Sequence, residues 1–208
     1  MAAQHPTIHI VDDDQDVRES ISLLMESVGL TVATYGSPQE YLDRFSTDQY
    51  GCLVLDVRMR GMSGLDLQSR LIRLPYHPPI VVISAYGDVP MAVRALLGGA
   101  VDFLEKPFND QALLDAVHRA IQQDALRRGE ALRLAEIKDR IARLTPREAE
   151  VMRRVVDGQR NKAIASEMHI TQSTVEVHRA RVMEKMEARN LSELMRMLVT
   201  LEICEGKG

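Results

Sequence analysis

Ile8-His9-Ile10-Val11-Asp12-Asp13-Asp14 is a short apolar run that breaks into three successive acids. A run of this length, rich in β-branched residues, suits a buried strand. An Asp just after a strand is by itself ordinary turn or helix-cap chemistry. The pattern recurs, however. Leu53-Val54-Leu55 runs into Asp56, Ile80–Ile83 into Ser84 and Ala85, and Val101–Leu104 leads to Lys106-Pro107; Thr31–Tyr35 is a fifth apolar run. Stripes at helical spacing lie between them, with Ile21, Leu24, Met25 and Val28 in the first gap; Leu113, Leu114, Val117 and Ile121 follow the fifth run. Strands alternating with helices predict a five-stranded, parallel, doubly wound (flavodoxin-like) α/β sheet covered on both faces. In such sheets function gathers at the carboxyl ends of the strands.

Those ends carry Asp12, Asp13, Asp56, Ser84 and Lys106. Carboxylates crowded at one sheet edge repel one another, more strongly in a low dielectric. A hard, oxygen-loving divalent cation, Mg²⁺ above all, relieves that repulsion. One carboxylate is then able to attack a phosphoryl group and form an aspartyl-phosphate. Lys106 would neutralise the incoming oxygens, and the Ser84 hydroxyl would donate to one of them. Each residue alone has a bland explanation, but their joint placement at four strand ends points to a phosphoryl site.

Residues 7–121 resemble the receiver domain of two-component response regulators. The resemblance rests on the Val11-Asp12-Asp13-Asp14 cluster, the stretch Leu55-Asp56-Val57-Arg58-Met59 followed by Gly61-Met62-Ser63-Gly64, the strand-end Ser84, and Phe103-Leu104-Glu105-Lys106-Pro107-Phe108. It implies that Asp56 accepts a phosphoryl group from a sensor histidine kinase. Asp13 and Asp56 would then ligate Mg²⁺ directly, Asp12 through water, and the Arg58 backbone carbonyl would complete the set. Ser84 becomes the switch hydroxyl, Phe103 the aromatic rotamer partner, Lys106 the essential cation, and the Lys106–Pro107 bond cis. Three positions depart from the family pattern: Arg60 stands for proline, Ser84 for threonine and Phe103 for tyrosine.

The chain has 208 residues, 45% of them apolar and 27% charged, with a formal charge of −4. The apolar share excludes wholesale disorder. No run reaches the roughly 18–20 apolar residues of a membrane span, and no secretory leader pattern opens the chain. Cys52 and Cys204 form neither a disulfide framework nor a zinc spacing. A cytoplasmic protein without membrane partners is expected. Acidity at first argues against nucleic acid, but the charge is unevenly spread. Residues 1–123 carry a net −7, residues 124–144 a net +2 and residues 145–208 a net +1. Three parts are expected: a receiver at 1–123, a helical linker at 124–143 and a DNA-binding domain at 144–208. Ile137, Ile141 and Leu144 give the linker its helical stripe, and Gly129 is the natural place for a bend.

Thr145-Pro146-Arg147-Glu148 combines an N-cap, a first-turn proline and a capping-box glutamate. It should start a helix that Gly158 ends. A second helix follows at Asn161–His169, a third is capped by Thr171, and a fourth is capped by Ser192 and carries Leu194, Leu198 and Leu201. Two short helices joined by a tight turn suggest a helix-turn-helix whose later helix reads DNA. In that helix Val175, Val182 and Met186 form an inward stripe, while Glu176, Arg179 and Ala180 are read as a separate, base-facing surface. Arg147, Arg160, Lys162, Arg181 and Lys185 are placed to meet phosphates.

Residues 143–201 resemble the LuxR-type helix-turn-helix through LTPREAEVM, NKAIA and STVEVHRARVMEKM. The resemblance places Asn161, Lys162, Thr174, Val177, His178 and Lys185 in the DNA-binding unit, and it likens the fourth helix to the family's dimerisation helix. Glu176 and Ala180 depart from the basic residues common there. Glu176, Arg179 and the Ala85-Tyr86-Gly87-Asp88 segment point toward the FixJ branch. The whole reads as a response-regulator transcription factor that dimerises on phosphorylation and binds double-stranded promoter DNA, with RNA polymerase as a further partner. Two rivals remain at this point. An Asp-dependent phosphatase of the haloacid-dehalogenase type needs a second Asp where Arg58 stands, and an interaction regulator would lack DNA binding altogether.

Overall fold

The computed structural model describes residues 5–205, with side chains as far as Leu201; Cys204 therefore lies outside the described side chains. All five apolar runs are strands: β1 (Thr7–Val11), β2 (Thr31–Tyr35), β3 (Gly51–Asp56), β4 (Ile80–Ser84) and β5 (Asp102–Glu105). They pair in parallel in the order β2-β1-β3-β4-β5. Around them lie α1 (Gln15–Ser27), α2 (Pro38–Arg44), α3 (Gly64–Leu71), α4 (Val89–Leu97) and α5 (Asp110–Ala142).

Both faces of the sheet are buried, which explains why its strands read as continuous apolar runs. Ile8, Ile10, Cys52, Val54, Val81 and Ile83 pack on one side against α1 and α5. Leu53, Leu55, Ile80 and Val82 pack on the other against α2, α3 and α4. The register aligns Val11 with Leu55, so Asp12 and Asp56 leave adjacent strands side by side. Asp14 stands apart from them and caps α1, its carboxylate accepting from the amides of Asp16 and Val17. Glycine at position 64 is a requirement of packing, because a Cβ there would lie 2.0 Å from the Asp56 carbonyl oxygen.

The chain forms two compact units, Met1–Arg128 and Gly129–Gly208. Gly129, where the sequence allows a bend, lies within α5, which is continuous through it. A single helical glycine costs about 1 kcal/mol relative to alanine, too little to break a helix with long flanks on both sides.

Asp124 and Arg128, read from the sequence as linker residues, are fastened to the sheet's other end. The fully buried Asp124 carboxylate accepts from the Gly51 amide (2.9 Å), the Tyr76 hydroxyl (2.5 Å) and Arg128 Nε (3.2 Å). Arg128 also donates to the Thr47 and Gln49 carbonyls and stacks on the Tyr76 ring, 4.3 Å from its centroid. A buried carboxylate without its cation is costly.

In the second unit α6 (Pro146–Val156), α7 (Asn161–Met168), α8 (Gln172–Lys185) and α9 (Leu191–Glu205) enclose two small cores. The Thr145–Glu148 capping box forms as expected. Gly158, at φ +80°, follows the end of α6, and His169 ends α7 in the left-handed region. The cap of α9 is corrected: Asn190, not Ser192, accepts from the Glu193 amide. Ser192 falls inside the first turn, whereas Asn190 immediately precedes it. No helix among the described residues is long and apolar enough to cross a membrane.

Arg128→Ala should destabilise the first unit by about 3–5 kcal/mol, because it strands Asp124 in the interior. Asp124→Asn, which keeps an acceptor for the Gly51 amide, should cost less. Urea unfolding followed by far-UV circular dichroism reads the difference.

Candidate functional site

At the carboxyl edge of the sheet one ammonium joins two buried carboxylates. Lys106 Nζ donates to Asp12 Oδ2 at 2.6 Å and to Asp56 Oδ1 at 2.8 Å. Asp12 is 1% exposed and Asp56 4%. Burial pushes the Asp56 carboxyl above its ordinary range, against the opposing pull of Lys106 and the Arg58 amide. The Lys106 ammonium loses proton affinity to burial and regains more from its bonds to the two acids, so it titrates above its ordinary value. The Lys106–Pro107 peptide is cis.

Asp13 stands at the rim and is not in the Lys106 cluster; its Oδ2 accepts from the Arg60 backbone amide at 3.3 Å. A proline there, as in the family pattern, would have no N–H to give. Among the described residues no three acidic, histidine or cysteine side chains gather as a ready cation cage. The donor set nevertheless suits a hard cation. Asp12, Asp13 and Asp56 bring three carboxylates to one edge, and the Lys106 ammonium compensates one of the two buried charges.

Ser84 is buried and is engaged with the loop that follows it. Its hydroxyl donates to the Tyr86 carbonyl at 3.1 Å and accepts from the Tyr86 amide. Phe103 is half-buried, with its ring edge against Gly87, where a Cβ would come within 2.9 Å. Arg58 is exposed and places its guanidinium 4.7 Å from the centroid of the Tyr86 ring. Tyr86, singled out in the sequence only as part of the Ala85–Asp88 segment, thus links the loops after β3 and β4; a lone aromatic in a loop gives no signal of such a contact.

In the second unit the expected DNA contacts separate into groups. Val177, Ala180 and Arg181 are exposed on α8, as is Glu176; Lys162 is exposed on α7 and Arg160 just before it. Thr174 is half-buried and joined to the cap hydroxyl of Thr171, and His178 is half-buried. Arg147 pairs with Glu150 at the surface. The grouping of Arg179 with Glu176 and Ala180 is corrected. Val175, Arg179, Val182 and Met186 recur at i, i+4, i+7 and i+11, so Arg179 belongs to the inward stripe. Its Nη1 donates to Asn161 Oδ1 at 2.7 Å.

Lys185 is likewise engaged inside the unit. Its Nζ donates to Glu148 Oε2 at 2.6 Å and to the Arg143 carbonyl at 3.2 Å. Lys185 and the capping-box amide of Thr145 hold the Glu148 carboxyl well below the ordinary range, at about 2. The capping box was legible in the sequence, but nothing there announced a lysine 37 positions on as its third member.

Fold and site together define a two-part regulator, a phosphoryl-type receiver followed by a DNA-binding helix-turn-helix. Residues 8–118 match the response regulator receiver domain, and residues 142–198 match the bacterial regulatory proteins of the luxR family. Nodulation protein W of Bradyrhizobium diazoefficiens is 47% identical over 97% of this chain and 89% of its own length. The transcriptional regulatory protein FixJ of Azorhizobium caulinodans is 44% identical over 91% of this chain and 90% of its own. The solved structure of the response regulator StyR covers 94% of this chain and 99% of its own, at 42% identity and a TM-score of 0.87. The chain belongs to the LuxR/FixJ family of response regulators, whose members are transcriptional regulators.

Glu148, at about 2 in the folded chain against about 4.5 when free, contributes stability that is present above pH 4.5 and lost as pH falls toward 2. The thermal midpoint of the second unit should therefore drop through that window. Glu148→Gln should lower the midpoint at pH 7 and flatten this part of the profile, as differential scanning calorimetry of the full chain would show.

Proposed function

We propose that Asp56 accepts a phosphoryl group from the phosphohistidine of a sensor kinase, and that the modification governs dimerisation and promoter binding. The observation that carries this reading is the Lys106 ammonium bridging the buried Asp12 and Asp56. In the transfer a carboxylate oxygen of Asp56 bonds to phosphorus as the phosphorus–nitrogen bond of the donor breaks. The departing imidazole keeps the electron pair and regains neutrality within the kinase. Lys106 is already in place to follow the charge from carboxylate to phosphoryl oxygen. Asp12, Asp13, Asp56 and the Arg58 carbonyl would hold Mg²⁺, which supplies charge neutralisation for the transferring phosphoryl group.

The switch follows from competition for the Ser84 hydroxyl. In the unmodified chain it bonds a neutral carbonyl, that of Tyr86. A phosphoryl oxygen on Asp56 is the stronger, charged acceptor. Drawing Ser84 inward releases the loop after β4 and makes room for Phe103 to bury beside it. The chain labels itself rather than turning over phosphate esters, because Arg58 stands where a phosphatase of this kind needs a second acid.

DNA is met by the exposed surface of α8 together with Arg160 and Lys162, in the cytoplasm and with RNA polymerase as a further contact. Exposed Leu191, Met195 and Val199 recur every fourth residue on α9, a stripe that supports pairing of two chains on paired half-sites.

Beryllofluoride, a phosphoryl mimic, should in the presence of Mg²⁺ shift the chain toward dimer and raise its affinity for a selected duplex. Sedimentation and fluorescence anisotropy read the two effects. Asp56→Asn should abolish both, and an unchanged oligomer state with unchanged affinity sinks the switch. Replacing Arg160, Lys162 or Arg181 by alanine should weaken binding to all duplexes alike. Each should reduce the salt dependence of log K by about one phosphate's worth, close to 0.9. Lys185→Ala should act chiefly through the thermal midpoint, because its partner is Glu148.

A further inference from the structure

The inward stripe of α8 contains one charged residue. Arg179 is flanked along the stripe by Val175 and Val182, both buried, and its side chain lines a cavity of about 110 Å³ with Val151, Val155, Leu191 and Leu194. A cation in such surroundings is tolerated only when its polar head finds a partner. Among the described residues the hydrogen-bond partner is a single side chain, on another helix. Asn161, the first residue of α7, accepts from Arg179 Nη1 at 2.7 Å and offers its amide to Glu176 Oε1 at 3.5 Å. One amide thus meets an inward guanidinium and an outward carboxylate of α8, on the far side of the turn at His169 and Ile170.

We infer that Arg179 is a positioning residue: bonded to Asn161, it sets the angle at which α8 is presented to DNA, and it confers sequence preference without touching a base. The inference rests on the reading of α8 as the DNA-facing helix. Apolar side chains alone pack at several neighbouring angles with little cost, because their contacts are not directional. A guanidinium fork is directional and rigid, and its bond to a fixed amide removes that freedom. The exposed surface carrying Ser173, Val177, Ala180 and Arg181 holds few strong base-reading groups. Its selectivity then depends on docking the same way every time, since base edges are read only from the correct position in the groove.

The test uses the full chain, a duplex that the unaltered protein selects from a random pool, and a scrambled duplex of equal length. Arg179→Met keeps an unbranched apolar stem in the cavity and removes the donors. It should reduce the ratio of specific to scrambled affinity by roughly 10–100-fold, of the order of one lost base-pair reading, while affinity for the scrambled duplex changes less than about twofold. The lost preference should be spread over the whole half-site. Asn161→Ala should reproduce the effect, and the double variant should add little to either, the mark of one shared interaction. Arg179→Lys, which keeps a donor of different reach, should retain more preference than Arg179→Met. Loss confined to one base pair in Arg179→Met, with additive loss in the double variant, overturns the inference and makes Arg179 a direct reader. An unchanged affinity ratio in Arg179→Met also overturns it. If the unaltered chain selects no sequence, the DNA-reading surface itself is wrong and the inference falls with it. Circular dichroism of each variant confirms that α8 is still folded, and Arg179→Lys carries the comparison should Arg179→Met melt.

Discussion

Two carboxylates on neighbouring strands cannot be buried together without a cation between them, and Lys106 meets that demand. The pairing of β1 with β3 brings Asp12 beside Asp56. The position of β5 at the sheet's edge then requires a side chain long enough to reach across β4, which lysine has. The strand order, the loop after β5 and the burial of the acids are thus parts of one electrostatic solution. It is an incomplete solution, because the two buried acids carry one more charge than Lys106 supplies. On the proposed reading, that residual charge would make the pocket receptive to a divalent cation and reactive toward phosphorus. A fully neutralised cluster would hold the fold equally well and have no chemistry.

The opposite end of the sheet shows what a satisfied cluster looks like. Asp124 accepts three hydrogen bonds and pairs with Arg128, whose own donors reach two carbonyls and whose plane lies on Tyr76. Nothing is left over to bind or react. The contrast separates a site from a structural clasp built of the same residue types. The same distinction holds in the second unit, where Glu148 and Lys185 are mutually consumed.

The fold was legible because both faces of the parallel sheet are buried, so each strand appears as an uninterrupted apolar run ending in a polar residue. Strand ends differed from expectation by about one residue, as hydrogen-bonded boundaries do. The acid cluster was legible for the same reason, since strand ends are located by the runs themselves. Interactions closing over long sequence separations were not. Lys185 with Glu148, Asn161 with Arg179, and Asp124 with Gly51 and Tyr76 each pair ordinary polar residues whose spacing carries no periodic signal. At Gly129 the helix continues because a local propensity near 1 kcal/mol is small beside the cooperativity of a long helix.

The charge of the second unit acquires a different meaning once its pairs are known. Its net is close to zero by count, yet much of its basic complement is spent internally: Arg140 on Glu187, Arg147 and Arg154 on Glu150, Arg179 on Asn161 and Lys185 on Glu148. Arg160, Lys162 and Arg181 are exposed and make no side-chain ion pair or hydrogen bond among the described residues. A phosphate backbone responds to the cations free to approach it, not to the net count. A few unspent cations beside a helix whose exposed surface is small and partly acidic give modest attraction to any duplex. Preference for one sequence must then come mainly from shape and orientation, and two chains held together would multiply what one offers. On the proposed reading, such a module would be weak alone and stronger when paired, and would suit a receiver whose phosphorylation changes association rather than the DNA surface itself.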